Sequence, residues 1–200
     1  QARITKLGVA MKAMASKIGI AVAALAGIGV GMKKVFDLGA GIEETGSKFA
    51  TVFGSEATAQ VQNFLDTFAN KAGLTNAEAQ ALVSTTGAIA QGMGFSQKAS
   101  GDMSIAITKL AADLGSFNNL PTEEVIMAVN SALTGEREQL KQLGIVIKEA
   151  EVQQLALAQS GKETAAALTN QEKATATLAL ITKNAGVAVG DLDRTQGSAA

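Results

Sequence analysis

The sequence predicts an all-α protein of short helices broken by glycine. Three observations carry this. Of 200 residues, 38 are Ala and one, Pro121, is Pro; these are the best and worst helix formers. Apolar residues recur at three- and four-residue spacing between local start and stop signals. The β-branched run Ile145-Val146-Ile147 allows a very short extended segment near 145–147, but three residues cannot make an independent sheet.

The elements follow in order. The first 36 residues carry Arg3, Lys6, Lys12, Lys17, Lys33 and Lys34 and no acid, which leaves 11 basic against 18 acidic residues in the rest. A +6 leader precedes a −7 body, so the reading has two parts, 1–41 and 42–200. Between Lys17 and Lys33 lie 15 uncharged residues, short of the roughly 20 that span a bilayer. Ala15, Gly19, Ala23, Gly27 and Gly31 fall at a spacing of four. On a long N-terminal helix they form a stripe where another backbone can approach closely. The stripe admits three readings: a buried core helix, a self-associating helix, or a membrane-active one.

In the body, Ser55 is placed to cap a helix through Val61, Phe64, Leu65 and Phe68, with Gly73 ending it. Thr75-x-x-Glu78 is a capping box for a helix ending at Gly92 and Gly94. Ser96 caps a helix bearing Met103, Ile107, Leu110 and Leu114, and 115–120 reads as a loop. Pro121 with Glu123 and Glu124 suits a helix start, and that helix runs to Gly135. A short charged helix, EREQLKQL, ends at Gly144. A helix over about 149–158 and one opened by the box Thr169-x-x-Glu172 and closed at Gly186 complete the chain.

Composition excludes much chemistry. The chain has no His, Cys, Trp or Tyr, so a Ser-His-Asp triad, a thiol nucleophile, disulfides and Cys/His zinc sites are out. The pairs Glu43-Glu44 and Glu123-Glu124 read as first-turn helix acids rather than catalytic carboxylates. Gly27-x-Gly29-x-Gly31 lacks the flanking Lys-Ser/Thr of a phosphate loop. Asp113, Asp191 and Asp193 do not have the spacing of a calcium loop and read as solvated or capping groups. The basic leader offers DNA phosphates only non-specific contact. The expectation is a non-enzymatic protein without metal or cofactor.

Several phrases together are familiar. Ala111–Phe117 (AADLGSF) contains Asp113, Ser116 and Phe117. Ala132–Ile145 (ALTGEREQLKQLGI) contains Thr134, Gly135, Glu136, Leu140, Lys141, Gly144 and Ile145. Gly190–Ala200 (GDLDRTQGSAA) contains Gly190, Asp191, Arg194 and Thr195. With FATVFGSEATAQVQNFLDTFANKAGLTNAEA upstream and Gln171–Ile181, these resemble the conserved region of phage tail tape measure proteins. The resemblance covers most of residues 45–200. Leu192 stands where that family often has Phe.

The resemblance implies a mostly helical virion protein in the lumen of the tail tube. Such a protein governs tail length and assembly, and leaves ahead of the DNA to assist its delivery. Implied partners are tail tube and tail tip proteins, tail assembly chaperones, further copies of the chain (a trimer among the options) and the host inner membrane. The implied locations are the tail, the host cytoplasm during assembly and the inner membrane during infection. A pure ruler is one monotonous helix. Breaks at Gly73, Gly94, Gly135, Gly144 and Gly186 predict a compact helical domain within a longer chain. Two other readings stay open: a membrane-inserting module forming a channel for genome passage, and a cytosolic helical adaptor.

Overall fold

A computed structural model describes the backbone of residues 32–198 and the side chains of 44–196. The small-residue stripe Ala15, Gly19, Ala23, Gly27 and Gly31 lies outside the described residues. The chain divides between Glu44 and Thr45, and the packing below is that of the second unit. The described residues form an all-α fold without a strand. Its α-helices are α1 (Met32–Phe68), α2 (Asn76–Gly92), α3 (Gln97–Asn118), α4 (Thr122–Leu133), α5 (Glu149–Ser160), α6 (Asn170–Ala185) and α7 (Asp191–Ser198). Short 3-10 turns lie at Glu138–Leu143, Ala165–Ala167 and Gly186–Ala188.

The start signals act as their chemistry requires. Thr75 and Thr169 each form a full capping box with the Glu three residues on, and Ser96 accepts from the Ala99 N–H. Each cap satisfies N–H groups that the first helical turn leaves unpaired. The stops are as local. At Gly73, Gly94, Gly135 and Gly144 the backbone turns left-handed, with φ between 71° and 110°. The next N–H then reaches back five residues, as in Leu74 N–H to Ala69 O at 3.0 Å and Phe95 N–H to Ala90 O at 3.1 Å, which is the Schellman closure.

Four expectations need correction. A helix does start beside Ser55, but the non-helical residue that precedes it is Gly54 (φ 58°, ψ −166°), a kink between two helices, so Ser55 lies inside the second helix and is not its cap. The carbonyls freed there are used, since the Gln91 and Gln97 side chains donate to Val52 O and Thr51 O. The segment 115–120 is not a loop. α3 continues through Asn118 and closes at Asn119, which takes the left-handed conformation (φ 54°) that Asn tolerates. Gly115 lies under that turn, where a Cβ would sit 2.8 Å from Leu120 O. The short helix of EREQLKQL ends at Gly144 as expected, but it is of 3-10 type and covers only Glu138–Leu143, so Glu136 and Arg137 lie before it. Glu43 and Glu44 lie within α1, not in a first helical turn. Beyond the 3-10 turn, 145–147 makes no ladder, yet Ile145 and Ile147 are buried while Val146 is exposed, the alternation of an extended chain.

α3 is the central helix. Its Met103, Ile107, Leu110, Ala111 and Leu114 enter a core shared with α4, the 140–147 segment, α5 and α6. Its Ala112 enters a second core made by α1 and α2, around Phe53, Val61, Leu65 and Val83. Two glycines let helices approach α1 closely, Gly87 beside Phe53 and Gly101 beside Ala57. A Cβ on Gly87 of α2 would sit 2.7 Å from the Phe53 ring, and one on Gly101 of α3 would sit 2.9 Å from the Ala57 Cβ. The buried hydroxyls of Ser104 and Thr108 donate within their own helix, to Ser100 O and Ser104 O, both at 2.8 Å, so these two donors are satisfied, whereas the buried Ser100 hydroxyl has no partner.

Candidate functional site

Two of the three motif phrases meet in space. Asp113, on the last turns of α3, points its carboxylate at the start of α7. Oδ2 accepts from Gly190 N–H at 2.8 Å and Oδ1 from Leu192 N–H at 3.3 Å. A carboxylate at a helix N-terminus supplies both acceptor and favourable charge; here it arrives from 77 residues earlier in the chain. One turn further along α3, Ser116 donates to Asp191 Oδ2 at 2.8 Å and lies 3.0 Å from the Thr195 hydroxyl. Arg194 reaches back over the entry to α7. Its two Nη groups donate to Val189 O at 2.9 Å and Val187 O at 2.6 Å, and Nη2 lies 3.3 Å from Asp191 Oδ1. Gly190, at φ 79°, makes the tight turn beneath that guanidinium. Lys71 adds a 3.7 Å ion pair to Asp193, and Gln196 donates to Lys71 O at 2.8 Å.

So Asp113, Ser116, Gly190, Asp191, Arg194 and Thr195 form one constellation. Phe117, the next residue of the same phrase, is half-exposed and does not enter the core. The residues of the third phrase build a separate local structure. Thr134 ends α4, and Gly135 lets Glu136 N–H return to Ser131 O at 2.9 Å. Leu140 plugs the core from the 3-10 turn, and Gly144 turns the chain so that Ile145 N–H meets Leu140 O at 3.1 Å. Lys141 pairs with Glu138 at 2.6 Å on the surface. Arg137 pairs with Glu149 at 2.8 Å, while its Nε is buried without a partner.

The carboxylates with displaced pKa values are lowered. Backbone and hydroxyl donation from Thr75 lowers Glu78. The Lys162 ammonium, then the Thr169 N–H, hold Glu172 down to about 2. Gln60 and Lys98 lower Asp102. A general acid needs the opposite direction. Asp113 and Asp191 spend their oxygens on N–H and hydroxyl donors. Among the described residues no cluster of His, Cys, Asp or Glu is arranged to hold a metal ion. No described helix is long and apolar enough to cross a membrane.

An open cleft of about 660 Å³ adjoins the constellation. Leu74, Ala112, Ser116, Leu120, Thr122 and Leu192 are among its lining residues. Thr122 closes one wall by donating to Ala72 O at 2.9 Å. The cleft offers a mixed, open surface, with Lys71, Glu78 and Glu123 also on its lining. Compared with known proteins, the chain matches no family model, no curated protein and no solved structure.

Sequence reasoning did not anticipate α7. The available signal was the pair of first-turn acids, Asp191 and Asp193, after Gly190. What it lacked was the helix's cap, because Asp113 is remote in sequence. Lys71 and Gln196 likewise carried no local signal.

Proposed function

We propose that the chain is a structural segment of a phage tail tape measure protein, without enzymatic activity. In this reading it acts in the tail tube lumen during assembly and is released at infection to assist DNA delivery. Its expected partners are tube and tip proteins, assembly chaperones and further copies of itself. The observation that supports it best is the joining of two of the phrases that carry the resemblance. Asp113 and Ser116 of AADLGSF grip Gly190, Asp191 and Leu192 of GDLDRTQGSAA. Two phrases that depend on each other in the fold are what this reading expects of a conserved framework.

The helical breaks favour a docking domain over the ruler portion. A ruler needs continuous helix at about 1.5 Å per residue, and residues 70–150 contain several separate helices. The test is to determine the parent reading frame and its neighbours, and to search purified tails for peptides from residues 45–200 by mass spectrometry. A frame several times longer, beside tail genes, with these peptides in the tails, is the expected result. A short frame whose product is absent from virions overturns the reading.

A further inference from the structure

We infer that Gly190–Ser198 is a releasable strap, which detaches from α3 as one unit and has Asp113 as its pin. The attachments of this segment are almost all polar. They are the two N–H groups on Asp113, the Ser116–Asp191–Thr195 cluster, the Arg194 bonds to Val187 O and Val189 O, the Lys71–Asp193 pair and the Gln196 contact to Lys71 O. Leu192 is the one apolar side chain described in α7, and it is only partly buried against the α1–α2 core. Asp193 is 77% exposed and Lys71 54%, so their pair holds little in water.

The chain just before the strap is anchored differently. Ala188 is fully packed in the larger core, whereas Val187 and Val189 beside it are exposed. The pivot therefore falls between Ala188 and Gly190, where Gly190 already sits at positive φ. An isolated helix of eight residues does not persist in water, because nucleation outweighs so few hydrogen bonds. Release thus means undocking and melting together, an order-to-disorder step of low local stability. Leu192 lines the cleft beside Leu74 and Ala112, so release widens the cleft and uncovers apolar surface at its α3 wall.

The test is amide hydrogen exchange on the 200-residue chain, read with and without low urea. Arg194 to Ser198 amides are expected to exchange about a hundredfold or more faster than those of Val125–Leu133, yet to be protected relative to random coil. Their rates should depend weakly on urea, because little surface opens. Asp113→Asn should speed the same amides about tenfold through loss of a charged acceptor, with Val125–Leu133 unchanged. If the strap amides exchange at the core rate and with the core urea dependence, there is no separate release and the inference fails. If they show no protection, α7 is not docked and it fails as well. If Asp113→Asn leaves them unchanged, Asp113 is not the pin. Should that variant not fold, the wild-type rates and urea dependence decide alone.

Discussion

Gly87→Ala should destabilise the protein, although it places the best helix former in the middle of a helix. In an exposed helix interior Gly→Ala gains about 1 kcal/mol. Gly87 is buried, and the added Cβ would lie 2.7 Å and 2.9 Å from the Phe53 ring and 2.8 Å from Val52 Cγ1. Phe53 is fully buried and held edge-on by Phe49 at 5.0 Å between centroids, so the ring has little room to retreat. Overpacking of a filled core costs about 1–3 kcal/mol. Three contacts below 3.0 Å, two on the Phe53 ring and one on Val52, place this case at the upper end, for a net loss of about 1–2 kcal/mol. Gly46 is the control. It lies within α1, and a Cβ there meets nothing within 4 Å, so Gly46→Ala should stabilise by about 0.5–1 kcal/mol. Urea unfolding at constant slope measures both. In the Gly87→Ala background Phe53→Leu should recover part of the loss, a coupling of about 1 kcal/mol or more. If Gly87→Ala is as stable as wild type, or if the two glycines respond with the same sign, the wedge account of Phe53 is wrong.

Three further outcomes are expected. Thr86 accepts from the buried Asn130 amide at 2.9 Å, and Asn130 Oδ1 is already without a partner; Thr86→Val should cost about 1–3 kcal/mol, and the double change with Asn130→Leu should cost less, both by urea unfolding. Glu172 is held at about 2 in the folded state against 4.5 unperturbed, so its contribution to stability is complete above 4.5 and fades as pH falls toward 2. Thermal melts from pH 6 to pH 2 should show an acid-side decline that Glu172→Gln flattens; an unchanged decline removes Glu172 as its cause. On the membrane reading of the leader, a peptide of residues 1–36 leaks anionic vesicles and Gly27→Leu or Gly31→Leu abolishes leakage, whereas a peptide that neither binds nor leaks eliminates that reading.

What was legible in the sequence was legible because it is local. The boxes at Thr75 and Thr169 and the left-handed glycines at Gly73, Gly94, Gly135 and Gly144 act within six residues of themselves. What was hidden depends on distant groups. α1 passes its break at Gly54 because glutamines 39 and 46 residues away satisfy the freed carbonyls. Gly115 reads as a helix end, yet its missing side chain serves the chain that folds back over it from Leu120. Gly87 and Gly101 fall inside helical patterns, and only Phe53 and Ala57 on another helix explain them. Charge pattern was equally silent about the constellation: Asp113 belongs to no acidic cluster, and its partners are backbone N–H groups with no sequence signature.

The same distinction bears on the meaning of the motif phrases. Gly135 and Gly144 supply left-handed turns, Leu140 and Ile145 fill the core, and Asp113 caps a remote helix. Each has a sufficient reason in the architecture alone. These residues serve the fold whatever the chain binds, so the phrases mark framework rather than a contact surface. Residues that recognise a partner have to be sought among side chains the fold does not need. Phe117, Met127 and Val146 are exposed and outside both cores. Polar substitutions there should leave the unfolding free energy, measured in urea, within about 0.5 kcal/mol of wild type. On the proposed tail role, loss of tail assembly on such a background would locate a partner surface, since the framework would still be intact.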